Sequence, residues 1–376
     1  MSEIQITEIS PYFSVISETM PNIKSAALGV FFQHGSRCES SSEQGITHLI
    51  EHLLFQKTKQ KTAREIALFA ESRGAVVDGF TTKELSGIYA RFVNSNFYDI
   101  IDLISECICE VEFTEETLNK EQHLIIKEIE NIEDNPEEYI FILFDKFLFA
   151  DHPLSYPSVG IKETVSSLKL KQIVDYYYNK YLTSKVCISA AGQIEHNQLV
   201  DGAQKLIDLL KLNTKSQIFS KPITKIEAKR IIKRRSDLQQ VYSLGGKFTF
   251  SYQSEERYGL ILLNNIWGGM ISSRFFNRLR EKEALVYTVT TFLDLYSDIG
   301  IIGGFIVMDP TNLKRVYWVG QEELERLSSE GITEEELQRS INYTKSLLIV
   351  NNEDPMSRMI RNAKHKLLLN RVVTID

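Results

Sequence analysis

The sequence of 376 residues is poor in cysteine and histidine and contains no long apolar run. Its four cysteines, at positions 38, 107, 109 and 187, are scattered, a pattern that predicts reduced thiols and not a disulfide framework. No apolar stretch approaches the roughly 20 residues that span a bilayer, which argues against a membrane partner. Residues 1–5 lack the basic start and the apolar core of a secretory signal, and they are too acidic for a mitochondrial transit peptide. We therefore expect a cytoplasmic protein.

An excess of basic charge is also absent, because 50 acidic residues outweigh 43 basic ones and give a net charge of −7. This balance predicts no nucleic-acid partner. A basic stretch at 225–235 is short and lacks aromatic residues, so its alternating apolar positions predict an exposed edge strand. The hydrophobic content of 43% and charged content of 25% are typical of a globular protein, and the length suffices for two domains.

The most informative stretch is a pentad, His48-x-x-Glu51-His52, in a segment with helical periodicity. Apolar residues recur there at the spacing of a helix with one buried face: Ile46, Leu49, Ile50, Leu53 and Leu54. Residues four apart lie one turn apart on the same side of a helix, so His48 and His52 can present two imidazoles to one ion. Glu51 lies beside both and can reach a water on that ion. The pentad is the inverted form of the zinc-protease helix motif, although two surface histidines beside a solvated glutamate would also satisfy it.

A third ligand has candidates in residues 115–132, which also show helical periodicity. Two imidazoles and one carboxylate form a typical zinc site with a fourth position open to water. Glu121 and Glu128 are seven residues apart, so they lie on one side of the predicted helix, about two turns from each other. Other acidic residues lie nearby on this helix, and spacing alone does not select Glu128 from among them.

The pentad, followed by Glu121 and Glu128 on a later helix, resembles the pitrilysin/insulinase family of zinc metallopeptidases. The similarity points to the short-chain branch, which includes the mitochondrial processing peptidases and their bacterial homologues. The interval from the pentad to Glu128 matches the family's spacing for its third ligand, and the flanking Gly35-Ser36-Arg37-x-Glu39 and Gly45 agree with the family pattern.

The resemblance implies roles for seven residues. The residues that would bind Zn²⁺ are His48, His52 and Glu128. By the same resemblance, Glu51 is the general base and Glu121 is a supporting acid. In the second half, the segment 268–287 resembles the family's Leu-Arg-Glu…Tyr signature, so that Arg280 and Tyr287 would hold the substrate carbonyl and stabilise the charge that develops on it. Without the family context, Arg280 reads as a surface residue and Tyr287 as a half-buried strand aromatic.

The order of strands, helix, strands and helices occurs twice along the predicted elements, which agrees with the family's architecture. We therefore predict an α+β fold of two similar domains, each with a mainly antiparallel sheet packed with helices. The predicted divisions are a zinc-bearing domain at 1–212, a linker at 213–225 and a homologous domain at 226–376. Relatives continue beyond a stretch like 364–369 with a further helix and strand, so we expect a smaller sheet with an open edge in the second domain.

The predicted function is that of a zinc-dependent endopeptidase acting on peptides or small unfolded polypeptides inside a dimeric chamber. The alternatives are a protease dedicated to one leader peptide, or a non-catalytic supporting subunit of a heteromeric peptidase. Longer relatives close four such domains like a clamshell, so a two-domain chain needs a second copy. A homodimer is sufficient, and a heterodimer stays open as an alternative. The family usually has Asn at the position of Asp78, so this chain carries an extra negative charge near the predicted cleft.

Overall fold

The computed structural model of the protein describes residues 3–210 and 230–374. The predicted linker at 213–225 lies outside the described residues. Residues 230–235, the described part of the predicted basic edge strand, form no strand, so that part of the prediction is wrong. None of the helices in the described ranges combines the length and the apolar content needed to cross a bilayer.

Groups of strands and groups of helices follow one another along the described chain. The strands are β1 (Glu3–Ser10), β2 (Phe13–Thr19), β3 (Ser25–Phe32), β4 (Val76–Thr81), β5 (Ser86–Val93), β6 (Val186–Gly192), β7 (Val241–Thr249), β8 (Val286–Leu295) and β9 (Gly300–Met308). The helices are α1 (Ile46–Leu53), α2 (Ala63–Ser72), α3 (Phe97–Cys109), α4 (Glu115–Asp134), α5 (Pro136–Phe149), α6 (Lys162–Ser167), α7 (Leu170–Tyr176), α8 (His196–Gly202), α9 (Gln204–Leu210), α10 (Arg257–Asn264), α11 (Leu313–Glu330), α12 (Glu334–Asn351) and α13 (Pro355–Leu369).

Internal contacts divide the chain into two compact units. The first unit comprises Met1–Glu133, Phe149–Lys225 and Asn351–Asp376, and the second comprises Asp134–Leu148 and Ile226–Val350. Neither unit is therefore one continuous stretch of sequence. Helix α5 lies within the first half of the chain but belongs mainly to the second unit, and α13 lies near the C-terminus but belongs to the first unit. The linear division at 1–212, 213–225 and 226–376 stays a prediction.

The first unit is built on a six-stranded sheet in the order β1-β2-β6-β3-β5-β4. Neighbouring strands are antiparallel except for the parallel pair β2–β6. The central strand β3 is buried along almost its whole length, which its nearly unbroken apolar sequence predicts. Its alternate residues Ala26, Leu28, Val30 and Phe32 belong to the core that also contains apolar residues of α1 and α3.

Helix α13 packs against β2, β3 and β6 on the other face of that sheet. Met359 is fully buried there, and its backbone carbonyl accepts a hydrogen bond from the hydroxyl of Ser189 on β6. The buried carboxylate of Glu18 on β2 pairs with Arg358 at 2.5 Å and with Arg361 at 2.9 Å. Apolar burial and a paired buried charge therefore both attach this helix to the first unit.

The second unit contains, among its described residues, a three-stranded antiparallel sheet in the order β7-β9-β8. One apolar cluster of its core contains Phe275, Leu279, Val286, Val289, Met308, Val316 and Val319. From α5, the ring of Phe141 contacts Phe292 and Phe305 with ring centroids 5.4 and 5.7 Å apart. The described residues of this unit thus form a three-stranded sheet, against six strands in the first unit, and the expected small sheet with an open edge stays a prediction.

The α+β fold of two units with mainly antiparallel sheets is confirmed. Strand β1 and helices α6 and α7 were not predicted from the sequence. Two segments of the second unit are π-helical: Asn265–Gly269 continues α10, and Phe276–Lys282 precedes β8.

Candidate metal centre

Helix α1 is anchored at its first residues by a buried acid. Gly45 precedes the helix with a positive φ of 91°, a conformation that glycine adopts without a steric penalty. The Glu39 side chain accepts hydrogen bonds from the backbone N–H groups of Gly45 at 2.8 Å and Thr47 at 3.0 Å. A carboxylate at this end satisfies free N–H groups and interacts favourably with the helix dipole. The loop that precedes α1 therefore fixes the start of this helix, and with it the position of the pentad.

Two histidines of α1 and one glutamate of α4 bring their donor atoms together. Nε2 of His48 lies 3.8 Å and Nε2 of His52 lies 4.0 Å from Oε2 of Glu128. One ligand atom from each of these three residues lies within 4.8 Å of the other two. Among the described residues, this trio is the group of His, Cys, Asp or Glu side chains that could hold a metal ion. The other acids of α4 do not join it, although spacing alone did not separate them from Glu128.

The chemistry of these donors fits zinc. Donor atoms bonded to a tetrahedral zinc ion at about 2.0–2.1 Å lie roughly 3.4 Å apart, and the distances of 3.8 and 4.0 Å from Glu128 to the two imidazoles exceed this by about half an ångström. Burial, followed by the proximity of His52, lowers the pKa of His48 to about 3. His48 is therefore neutral at physiological pH and has a lone pair to donate.

His52 is oriented by Glu121, a second acid of α4. Nδ1 of His52 and Oε2 of Glu121 are 3.0 Å apart, and the Glu121 side chain is 3% exposed. Burial alone would lower the pKa of His52, but the hydrogen bond to Glu121 and the charges of Glu51 and Glu128 outweigh burial and raise it. A carboxylate on Nδ1 places the proton there and leaves Nε2 free to bind a metal. This geometry agrees with the supporting role that the resemblance implies for Glu121.

The Glu51 side chain points from α1 towards strand β4 and not towards Glu121. Its Oε2 accepts a hydrogen bond of 2.5 Å from the hydroxyl of Thr81. Burial raises the pKa of the Glu51 carboxyl, while the Thr81 hydroxyl and the charge of His52 act against that rise. Asp78, on the same strand, is exposed and accepts a hydrogen bond from Tyr89 at 3.3 Å. The contact with Thr81 was not predicted, because sequence periodicity does not show which strand faces a helix.

Arg280 and Tyr287 belong to the second unit. Arg280 lies in the π-helical turn Phe276–Lys282, with its guanidinium 5.0 Å from the centroid of the Phe276 ring. Tyr287 lies on β8 where the pairing with β9 shifts register, and its side chain is 53% exposed. Such a bulge turns a side chain out of the regular alternation of a strand. Both residues are thus presented on the surface of their own unit.

The fold and the donor cluster together define a protein of two α+β units with a candidate zinc site in the first. The model of the family "Insulinase (Peptidase family M16)" matches residues 14–160, and that of the "Peptidase M16 inactive domain" matches residues 167–343. The chain belongs to peptidase family M16, the insulinase family, which confirms the resemblance seen in the sequence.

Relatives and solved structures agree with this membership. A protein of Bacillus subtilis named uncharacterized zinc protease YmxG is 32% identical over 362 residues, which cover 96% of this chain and 88% of the relative. The uncharacterized zinc protease SCO5738 of Streptomyces coelicolor is 27% identical over 96% of this chain and 80% of its own length. A protease structure from Helicobacter pylori covers 98% of this chain and 90% of its own, with a TM-score of 0.88 at 19% identity, and supports the fold.

Proposed function

We propose that the protein is a zinc-dependent endopeptidase that cleaves peptides or small unfolded polypeptides. The observation that carries this proposal is the convergence of His48, His52 and Glu128, with Glu51 adjacent on the same helix and Glu121 behind His52. Relatives that are named zinc proteases support it, although their names record no substrate. The second family model, which is named for an inactive domain, matches residues 167–343 and not the pentad.

The candidate site residues of the first unit have two roles, metal binding and proton transfer. His48, His52 and Glu128 would hold the zinc ion, and Glu121 fixes the tautomer of His52. Zinc, when bound, polarises the scissile carbonyl and lowers the pKa of a water molecule to near 7. Glu51 accepts the proton of the attacking water and passes it to the leaving amine, a role worth typically about 10²–10⁴-fold in rate.

Metal content and hydrolysis of a quenched fluorescent peptide library test the proposal together. Wild-type protein purified without added metal should contain close to one zinc per chain and should hydrolyse the library. Glu51→Gln should keep its zinc and lose turnover, whereas the matched variant Glu71→Gln, on the exposed side of α2, should behave as wild type. A near wild-type rate for Glu51→Gln would assign the base to another residue.

The same experiment separates the alternatives. A zinc-loaded protein that cleaves no peptide of the library would favour a supporting subunit or a protease that requires one particular leader peptide. Cleavage at many different sequences would favour a general degradative peptidase. Profiling of the cleaved bonds then shows which side chains the site accepts.

We further propose that the active enzyme is a dimer in the cytoplasm, with Arg280 and Tyr287 of one copy acting on substrate at the zinc of the other. Support comes from the two-unit chain, which carries the donor cluster on one unit and this exposed pair on the other. An Arg and a tyrosine hydroxyl can stabilise developing charge on a carbonyl oxygen. A homodimer contains both sets of residues, and a heteromeric partner is the alternative.

Mixed dimers test the sharing of the site. Glu51→Gln should be inactive, and Arg280→Ala combined with Tyr287→Phe should be severely impaired. A mixed dimer has one intact zinc site facing one intact Arg-Tyr pair, so part of the activity should return after subunit exchange. Differently tagged chains report whether exchange occurred. Mixed dimers that form without recovered activity would mean that the pair acts within its own chain or has no catalytic part.

A further inference from the structure

We propose that Thr81 is a positioning residue that holds the Glu51 carboxylate in its working orientation through a hydrogen bond from strand β4. The inference rests on the proposed role of Glu51 as the general base. Thr81 itself would touch neither the metal nor the reacting atoms.

The strand supports Glu51 at two points on the same face. Thr81 donates its hydroxyl to Oε2 of Glu51 at 2.5 Å. Gly79, two residues earlier and therefore on the same side of β4, leaves room for the Glu51 side chain, because a Cβ placed there would lie 2.6 Å from Cγ of Glu51. The carboxylate is therefore packed against the strand backbone as well as hydrogen-bonded to it.

Thr81 is held in place by the turn that follows it. The backbone carbonyls of Thr82 and Lys83 accept hydrogen bonds from the N–H groups of Ser36 at 3.1 Å and Arg37 at 2.9 Å. The guanidinium of Arg37 pairs with Glu84 in the same turn at 2.5 Å, and both side chains are buried. The end of β4 is thus attached to the loop at residues 35–39.

That same loop fixes the start of helix α1 through Glu39, which accepts hydrogen bonds from Gly45 and Thr47. One loop therefore sets the position of the helix that carries Glu51 and of the strand that carries Thr81. A hydroxyl held by rigid neighbours limits the rotamers of the acid that it contacts. This arrangement is a means of orienting Glu51 before substrate binds.

The hydrogen bond also distinguishes the two oxygens of Glu51. Thr81 occupies Oε2, and no side chain in the described part of the protein donates a hydrogen bond to Oε1. Oε1 is the oxygen left to accept a proton. Loss of the Thr81 hydroxyl should therefore lower kcat and leave KM nearly unchanged, because the hydrogen bond acts on the base and not on substrate binding. A hydrogen bond to a charged group is worth about 10- to 100-fold in an equilibrium or a rate.

Two substitutions isolate the hydroxyl. Thr81→Val keeps the shape of the side chain and removes the donor, while Thr81→Ser keeps the donor and removes a methyl group. Thr19→Val serves as a control, because Thr19 lies on β2 of the same sheet and donates its hydroxyl to the carbonyl of Ile194. The measurements are kcat and KM on a quenched peptide, zinc content, and crystal structures of the zinc-free wild type and the Thr81→Val variant.

We expect Thr81→Val to keep one zinc and to lose about 10- to 100-fold in kcat. Thr81→Ser should recover most of that loss, and Thr19→Val should retain wild-type kcat. In the zinc-free crystals, Glu51 should face position 81 in the wild type and turn away in Thr81→Val. A Thr81→Val variant with wild-type kcat, or with an unchanged Glu51 orientation, would overturn the inference. A wild-type protein without zinc or peptidase activity would instead defeat the proposed function, and the orientation of Glu51 in the two crystals would then decide the inference alone.

Discussion

The hydrogen bond between His52 and Glu121 allows a quantitative prediction of zinc affinity. The two atoms are 3.0 Å apart, and the Glu121 side chain is 3% exposed, so water competes little for this bond. A hydrogen bond to a charged group contributes about 1.5–3 kcal/mol when it is buried. Loss of a carboxylate behind a metal-binding histidine typically weakens metal binding by about 10- to 100-fold, which is the same range of free energy.

Glu121→Gln keeps the size of the side chain and removes its charge. We expect one zinc per chain with a Kd raised by about 10- to 100-fold, because His52 loses the charge that fixes its tautomer and strengthens its Nε2 donor. Competition with a chromophoric chelator at fixed pH and ionic strength measures this change. Urea unfolding of the zinc-free proteins shows whether the variant stays folded.

Glu116→Gln is the matched control, since Glu116 lies on the same helix and is exposed. Its zinc Kd should equal that of the wild type. If Glu121→Gln also bound zinc within about two-fold of the wild type, the contact would have no part in metal binding, and the reasoning from its burial and distance would be refuted.

Three further changes test other parts of the structure. Glu128→Gln should weaken zinc binding by roughly 100-fold or more, as measured by elemental analysis after a chelator wash, whereas retained zinc and activity would remove Glu128 from the ligand set. Asp78→Asn should reduce kcat/KM by about 2- to 10-fold for peptides with Lys or Arg near the scissile bond, relative to analogues with Gln at the same position. Equal rates of the wild type on the basic peptide and on its Gln analogue would contradict this prediction. The hydrogen bond from Arg274 lowers the pKa of Glu336 to about 2, so this carboxylate stabilises the fold above pH 4.5 and loses its contribution as the pH falls towards 2. After allowance for solvent screening, Glu336→Gln should cost about 1–2 kcal/mol of unfolding free energy at pH 7 and almost nothing near pH 2, with exposed Glu335→Gln as control.

Local periodicity was sufficient to predict the elements that carry the candidate site. The helix of the pentad and the helix at 115–132 occur as α1 and α4, because each has one apolar stripe facing the core. Spacing alone did not distinguish Glu128 from the other acids of α4, since that choice depends on how α4 packs beside α1. The family resemblance supplied the choice, and the distances to His48 and His52 agree with it.

Features that depend on distant parts of the chain were not predicted. The Thr81–Glu51 contact joins a strand to a helix 30 residues away, and no repeat in the sequence indicates it. The packing of α13 on the first sheet was missed because an amphipathic helix shows that it has a buried face but not which sheet covers that face. The π-helical turns near Asn265 and Arg280 were not predicted, because over so few residues their apolar spacing is the same as that of an ordinary helix.

The attachment of α13 to the first sheet has a consequence for biosynthesis. Ser189 and Met359 form their hydrogen bond across 170 residues, and Glu18 reaches Arg361 across 343. A ribosome therefore releases the whole second unit before the helix that completes the first unit emerges. Until then the sheet beside the candidate zinc site has an uncovered apolar face, which is the kind of surface that chaperones bind and that promotes aggregation of nascent chains. Chains interrupted after residue 350 should carry every candidate zinc ligand and still fail to accumulate as soluble protein.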